Sequence, residues 1–163
     1  MAPWLLGWAD VRTASDQGLP VAALPAMQVK VLGPDCAPLS PADARRLFRG
    51  RRLTPARRDR LAQSGRIVAA CGNRAVGVVA YDGVDDELRV HEFGLDTTST
   101  WCSEEQVINA LLDALEVACL ASGGRRLVVL PRAALAVPVL TRRGFVTIAE
   151  GCAGSWFEKT FPS

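Results

Sequence analysis

Residues 87–145 read ELRVHEFGLDTTSTWCSEEQVINALLDALEVACLASGGRRLVVLPRAALAVPVLTRRGF, and this stretch decides the fold. Glu87 to Asp96 has the apolar character of a strand. Ser103, with Gln106 three residues on, forms a capping box that starts a helix. Val107, Ile108, Leu111, Leu112, Leu115, Ala118 and Cys119 then recur at helical spacing and give one apolar face. Ser122-Gly123-Gly124 ends that helix. Leu127 to Leu130 shows no polar alternation, so both its faces are expected to be buried, as in a central parallel strand. Strand, crossover helix and parallel strand make a right-handed βαβ unit. Pro138 would cost about 3 kcal/mol inside a helix, which places it in the first turn of a short helix reaching Arg143. Gly144-Phe145 then opens another strand.

Working outward, Gln28 to Leu32 is the first clear strand. Ser40-Pro41-Ala42-Asp43 and Thr54-Pro55 are two helix starts, each a capping hydroxyl followed by proline at the first helical position. Their helices are predicted to end near Arg49 and Ser64-Gly65. Arg66 to Cys71, Arg74 to Tyr81 and Glu87 to Asp96 read as an antiparallel meander, with turns at Gly72-Asn73 and from Asp82-Gly83 to Asp85-Asp86. Gly77 either weakens its strand or admits a close backbone approach. Phe145 to Glu150 and Ser155 to Phe161 read as a closing hairpin. Residues 1–26, with Trp4 and Trp8, look like an extension. Met27 is an alternative start, and a Trp-rich segment docking on the body or a partner is the other reading.

The bulk numbers bound the class. At 163 residues and 49% hydrophobic content, the chain is expected to form one globular domain. No apolar run reaches the roughly 20 residues of a membrane span, and the N-terminus is a poor secretory signal. Five cysteines without a C-x-x-C pair read as free thiols in a reducing cytoplasm, with no metal site. The net charge of +2 is unevenly placed: residues 45–66 hold nine arginines and one acid, a local +8 against −6 elsewhere.

The element order over residues 28–161, closed by Gly144-Phe145, resembles the GNAT family of N-acetyltransferases. The resemblance implies a single α/β domain over residues 27–163. Its central mixed, mostly antiparallel sheet would have splayed central strands and flanking helices. It implies acetyl-CoA as cosubstrate and a small-molecule or peptide amine as acceptor; a homodimer is compatible with it. In the family, the strand matching Glu87–Asp96 bulges away from the one matching Leu127–Leu130, and the pantetheine arm lies in the gap. Cofactor contacts are then implied at Gly94, Leu95 and Asp96, with Gly94 suited to the bulge or simply relieving crowding. At the helix start they are implied at Ser103, Gln106, Val107, Ile108 and Asn109. The pattern departs from the family in three places. The pyrophosphate loop's basic and glycine positions fall on Ser103, Gln106 and Ile108. The asparagine and tyrosine of the following helix fall on Ala133 and Leu140. The Asp96–Ser103 loop is longer than usual. Glu104 and Glu105 stabilise their own helix but repel a pyrophosphate.

Acetyl transfer to an amine calls for a base and often an acid. Glu92, inside the central strand, is one candidate base, expected to have a raised pKa if buried; facing solvent or pairing with an arginine is the other reading. His91 is expected on the opposite face by strand alternation and is the alternative base, since imidazoles titrate near neutrality. Tyr81 stands in for the missing acid, or packs at the core rim. Cys102 reads as incidental. Arg45, Arg49 and Arg52 lie on the family's acceptor side. They could meet an acidic acceptor or the CoA phosphate, or form a solvated basic face. Nucleic acid ranks third, because only Phe48 offers an aromatic among the arginines. A GNAT-like domain without catalysis, acting as a binding or regulatory module, is the alternative to the enzyme.

Overall fold

A computed structural model describes residues 9–10, 26–49, 51–131, 136–152 and 154–162. The expectations for Trp4, Trp8 and Ala133 fall outside these. The elements run β1 (Ala9–Asp10), β2 (Met27–Leu32), α1 (Pro41–Leu47), α2 (Pro55–Gln63), β3 (Gly65–Cys71), β4 (Arg74–Val84) and β5 (Glu87–Leu95). Then follow α3 (Glu104–Ala121), β6 (Arg126–Val129), α4 (Ala136–Arg142), β7 (Val146–Gly151) and β8 (Gly154–Thr160). They build one sheet in the order β1-β2-β3-β4-β5-β6-β8-β7, antiparallel except for the β5–β6 pair. This is the mixed α/β architecture expected from the sequence.

The helix starts follow from their caps. Ser40 Oγ accepts from the Asp43 amide at 3.1 Å, and Thr54 Oγ1 accepts from the Arg57 amide at 3.3 Å. At α3 both halves of the capping box form: Ser103 Oγ accepts from Gln106 N at 3.1 Å, and Gln106 Oε1 from Ser103 N at 2.9 Å. Gly144, at φ +85, takes the left-handed conformation that ends α4. That turn sends Phe145, 3% exposed, into the core. α1 stops two residues short of expectation, with Phe48 as its cap.

Two apolar layers cover the sheet. On one face α3 buries Val107, Ile108, Leu111, Leu112 and Leu115 against Ile67, Val79, Val90 and Phe93. On the other, Leu47, Phe48 and Leu61 from α1 and α2 cover Val68, Val78 and Ala80. Gly77 is the close approach that its sequence context allowed: an added Cβ would lie 2.4 Å from Val107 Cγ1 and 2.9 Å from Leu111 Cδ1. Gly77→Val should therefore overpack the sheet–α3 interface and cost about 1–3 kcal/mol, read as a lowered denaturation midpoint at unchanged m-value.

The turn expected to begin at Asp82-Gly83 does not form there. β4 runs on to Val84, pairing Asp82 with Arg89 and Gly83 with Leu88. The reversal is the two-residue Asp85-Asp86 turn, with Asp85 at φ 55. A two-residue hairpin loop demands positive φ, which aspartate tolerates.

Candidate active site

The site begins where β5 and β6 part. They are paired from Glu87↔Arg126 to Val90↔Val129. A last, long bond runs from Leu130 N to Val90 O at 3.4 Å. β5 then continues through His91–Leu95 with β4 as its only strand partner among the described residues, and β6 has ended. The result is an open side of β5 from His91 to Leu95, a gap with its apex at Val90. Asp96 N donates to Val76 O on β4. By strand alternation, Phe93 and Leu95 turn their backbone groups the other way, toward the gap. Arg51 Nη1 donates to Phe93 O at 3.3 Å.

A β-bulge sits at this apex, but not at Gly94. The register shifts between Ala80↔Glu92 and Tyr81↔Val90, so His91 is the extra residue. Gly94 is regularly paired with Val78, and an added Cβ would lie 3.0 Å from the Phe48 ring and 3.1 Å from Leu47 O. It admits α1, which is the crowding explanation rather than the bulge.

The bulge also changes which face His91 occupies. Simple alternation separates it from Glu92, whereas the extra residue lets both side chains reach α2 and its cap. Glu92, 5% exposed, lies in a two-pronged ion pair with Arg57, with Nε and Nη2 each 2.8 Å from a carboxylate oxygen. That hydrogen bond raises the Arg57 pKa, outweighing desolvation. The arginine-paired reading of Glu92 is therefore the one the geometry fits. His91, 6% exposed, brings Nε2 to 2.9 Å from Ser64 Oγ and 3.2 Å from Asp82 Oδ2. Ser64 Oγ donates to Arg60 O, so it can accept from the imidazole. Both of these contacts use the same ring nitrogen.

Tyr81 sits on the α3 face, opposite Val90, beneath Gly65. Burial pushes its phenol up, making it a poorer acid. Leu140, at the family's tyrosine position, is fully buried. Cys102 faces Cys71 at 3.6 Å between sulfurs, and burial with that neighbour pushes the Cys71 thiol up to about 11.

The implied cofactor contacts divide. Leu95 is buried with its backbone toward the gap. Asp96 is closed off: Arg74 binds its carboxylate at 2.8 Å and Arg46 at 2.9 Å, and Thr98 donates to it from amide and hydroxyl. Burial pushes this carboxyl up, but the Thr98 and Arg74 bonds outweigh it and hold the pKa below its ordinary value. At the start of α3, Ser103 already takes the Gln106 and Val107 amides. Val107 and Ile108 are core residues, and Asn109 bonds Glu105 O and Arg143. Only the Glu104 and Glu105 amides, among the described residues, are left for a phosphate. Arg142 from α4 pairs with Glu105, whereas Glu104 Oε2 is buried without a partner among the described residues. Glu104→Gln should thus ease the repulsion of a phosphate at this helix start by about 0.3–1 kcal/mol, read in calorimetric titration as a few-fold tighter binding of a phosphate ligand.

Arg45, Arg49 and Arg52 line a cavity of about 920 Å³ between α1 and α2. No helix among the described residues is long and apolar enough to cross a membrane.

No protein-family model and no curated protein matches the sequence. Solved structures do. The GNAT domain of S. lividans PAT is 18% identical, with a TM-score of 0.60 over 83% of this chain and 90% of that one. N-acetylglutamate synthase from Neisseria gonorrhoeae, complexed with coenzyme A and N-acetyl-glutamate, is 13% identical with a TM-score of 0.62 over 83% of this chain. The PaiA N-acetyltransferase from Thermoplasma acidophilum, in complex with coenzyme A, is 12% identical with a TM-score of 0.51 over 59% of this chain. This chain spans 35% of the gonococcal synthase and 60% of the PaiA protein. Together with the sheet order and the β5–β6 opening, these likenesses establish that the chain has the fold of the GNAT acetyltransferases.

Proposed function

We propose that the protein is an acetyl-CoA-dependent N-acetyltransferase acting on an amine acceptor. The observation that carries this is the gap beyond Val90, where the outward backbone groups of Phe93 and Leu95 offer a thioester-bearing arm a strand-like partner. Coenzyme A in two of the similar structures supports the same choice of cosubstrate. Its phosphates would meet the Glu104 and Glu105 amides at the start of α3, a weaker cradle than a glycine loop.

In this reading the acetyl thioester stands at the apex, beside the bulge. The amine nitrogen attacks the thioester carbonyl, the C–N bond forms, and the C–S bond breaks with the electron pair leaving on sulfur. The amine proton passes to His91, directly or through one water, and Asp82 stabilises the imidazolium. Glu92 is assigned to positioning, because both of its carboxylate oxygens are already taken by Arg57. Tyr81 lies on the other face of the sheet and has no part in the transfer; the thiolate takes its proton from the imidazolium or solvent. Release of free CoA thiol from acetyl-CoA over a panel of amines tests this. Amine-dependent release is expected. Its absence with every amine class, in protein shown to bind acetyl-CoA, would leave a binding module instead.

A further inference from the structure

We propose that the cavity between α1 and α2 is an anion-binding subsite with Arg66 at its floor, and that it holds the carboxylate or phosphate group of the amine acceptor. Arg66 projects from β3 into the layer beneath the two helices and is 0% exposed. Its Nη2 donates to Cys36 O at 2.9 Å. Its Nε and Nη1 are buried with no hydrogen-bond partner among the described residues. A guanidinium shut away from water with two donors unmet is costly to maintain, and such groups are normally paired with an anion. Among the described residues no carboxylate reaches them. Arg66 is among the residues lining the cavity of about 920 Å³. Its surroundings point the same way. Arg45, Arg49, Arg52 and Arg58 line the cavity, with Asp59 the one carboxylate beside them. None of those four arginines has an ion pair among the described residues. Clustered like charges in a concave site raise the local concentration of an anion.

The register ties this subsite to the proposed chemistry. Arg66 is paired with Ala80, and Ala80 with Glu92, the residue next to the bulge. Arg66 is thus level with the apex and two strands away, about 10 Å. Phe48 and Arg51 join the two regions: both line the cavity, while Phe48 packs on Gly94 and Arg51 bonds Phe93 O. An acceptor anchored by its anion over β3 and presenting its amine at β5 must separate the two groups by several bonds. That favours an acidic peptide or a phosphorylated amine over a free α-amino acid, whose two groups are adjacent. The identification of the ligand as the acceptor rests on the acetyltransferase reading; the anion site itself does not.

Calorimetric titration of the full chain tests it with three probes: glycyl-glutamate, its neutral amide counterpart glycyl-glutamine amide, and inorganic phosphate. The acidic peptide should bind about tenfold or more tightly than the neutral one, with affinity falling as salt rises. Phosphate should compete with it. Arg66→Met should abolish the preference while leaving the melting temperature unchanged or higher, because an unpaired buried charge is removed. Arg58→Ala, at the rim, should weaken acid binding without affecting the fold. Equal affinity for acid and amide, or an unchanged preference in Arg66→Met, would overturn the proposal. Acetyl-CoA binding is measured in the same samples: intact cofactor binding with no acid preference sinks the subsite alone, whereas the reverse result sinks the acetyltransferase reading and leaves the anion site standing.

Discussion

Acetyl transfer is expected to slow by about a hundredfold or more when His91 is replaced by alanine, with acetyl-CoA affinity unchanged. The imidazole stands at the bulge beside the apex, in contact with Asp82 and Ser64. Removing it deletes the proposed proton acceptor without touching the gap. Glu92→Gln provides the contrast. It breaks the pair with Arg57, which is one-quarter exposed, and should cost about 2 kcal/mol of stability while keeping turnover within a few-fold. Steady-state kcat and KM on a working amine, set beside the melting temperatures, separate the two roles. A large fall in kcat with Glu92→Gln and a small one with His91→Ala would reverse the assignment.

Asp96→Asn should be among the most destabilising polar substitutions in the chain, at about 2–3 kcal/mol. The carboxylate has no exposed side-chain surface and gathers Arg74 from β4, Arg46 from α1 and Thr98 from the loop before α3. Losing it leaves two guanidinium groups without their shared anion, though both keep partial access to water, which moderates the penalty. The same knot makes the fold acid-sensitive. The folded-state pKa of Asp96 lies below its unfolded value of about 4. Its contribution is therefore fully present above that value and lost as pH falls through the lower, folded one. Urea titrations at pH 7 and pH 3 should show the wild-type advantage over Asp96→Asn shrinking at the lower pH; a constant difference would mean that Asp96 does not ionise differently on folding.

What could be read in the sequence was local. The Ser103–Gln106 capping box, the prolines after Ser40 and Thr54, and Gly144-Phe145 each act within a few residues of chain, and each formed as expected. The βαβ unit follows from those signals plus the apolar run at Leu127–Leu130. The bulge was misplaced because the extra residue is set by register between β4 and β5, and no glycine marks it: His91 carries it, and Gly94 serves α1 instead. That single shift also moved His91 to the face of Glu92. Partners distant in sequence were equally hidden. Arg57 and Glu92 are 35 positions apart, and Arg74 and Asp96 are 22 apart. A strand carboxylate in a chain with nine arginines over residues 45–66 was the available hint, and it named the pairing but not the partner. Arg66 was the least visible of all. In sequence it is the last member of a basic run; only packing beneath α1 and α2 distinguishes it from its solvated neighbours.

The most direct test is thermal denaturation of the full chain with increasing acetyl-CoA. If the gap between β5 and β6 admits the acyl-bearing arm, cofactor at a hundred times its dissociation constant should add about 2.7 kcal/mol. That raises the melting temperature of a domain this size by about 5–10 °C. A flat melting temperature up to millimolar acetyl-CoA would contradict the account, leaving the fold without the chemistry.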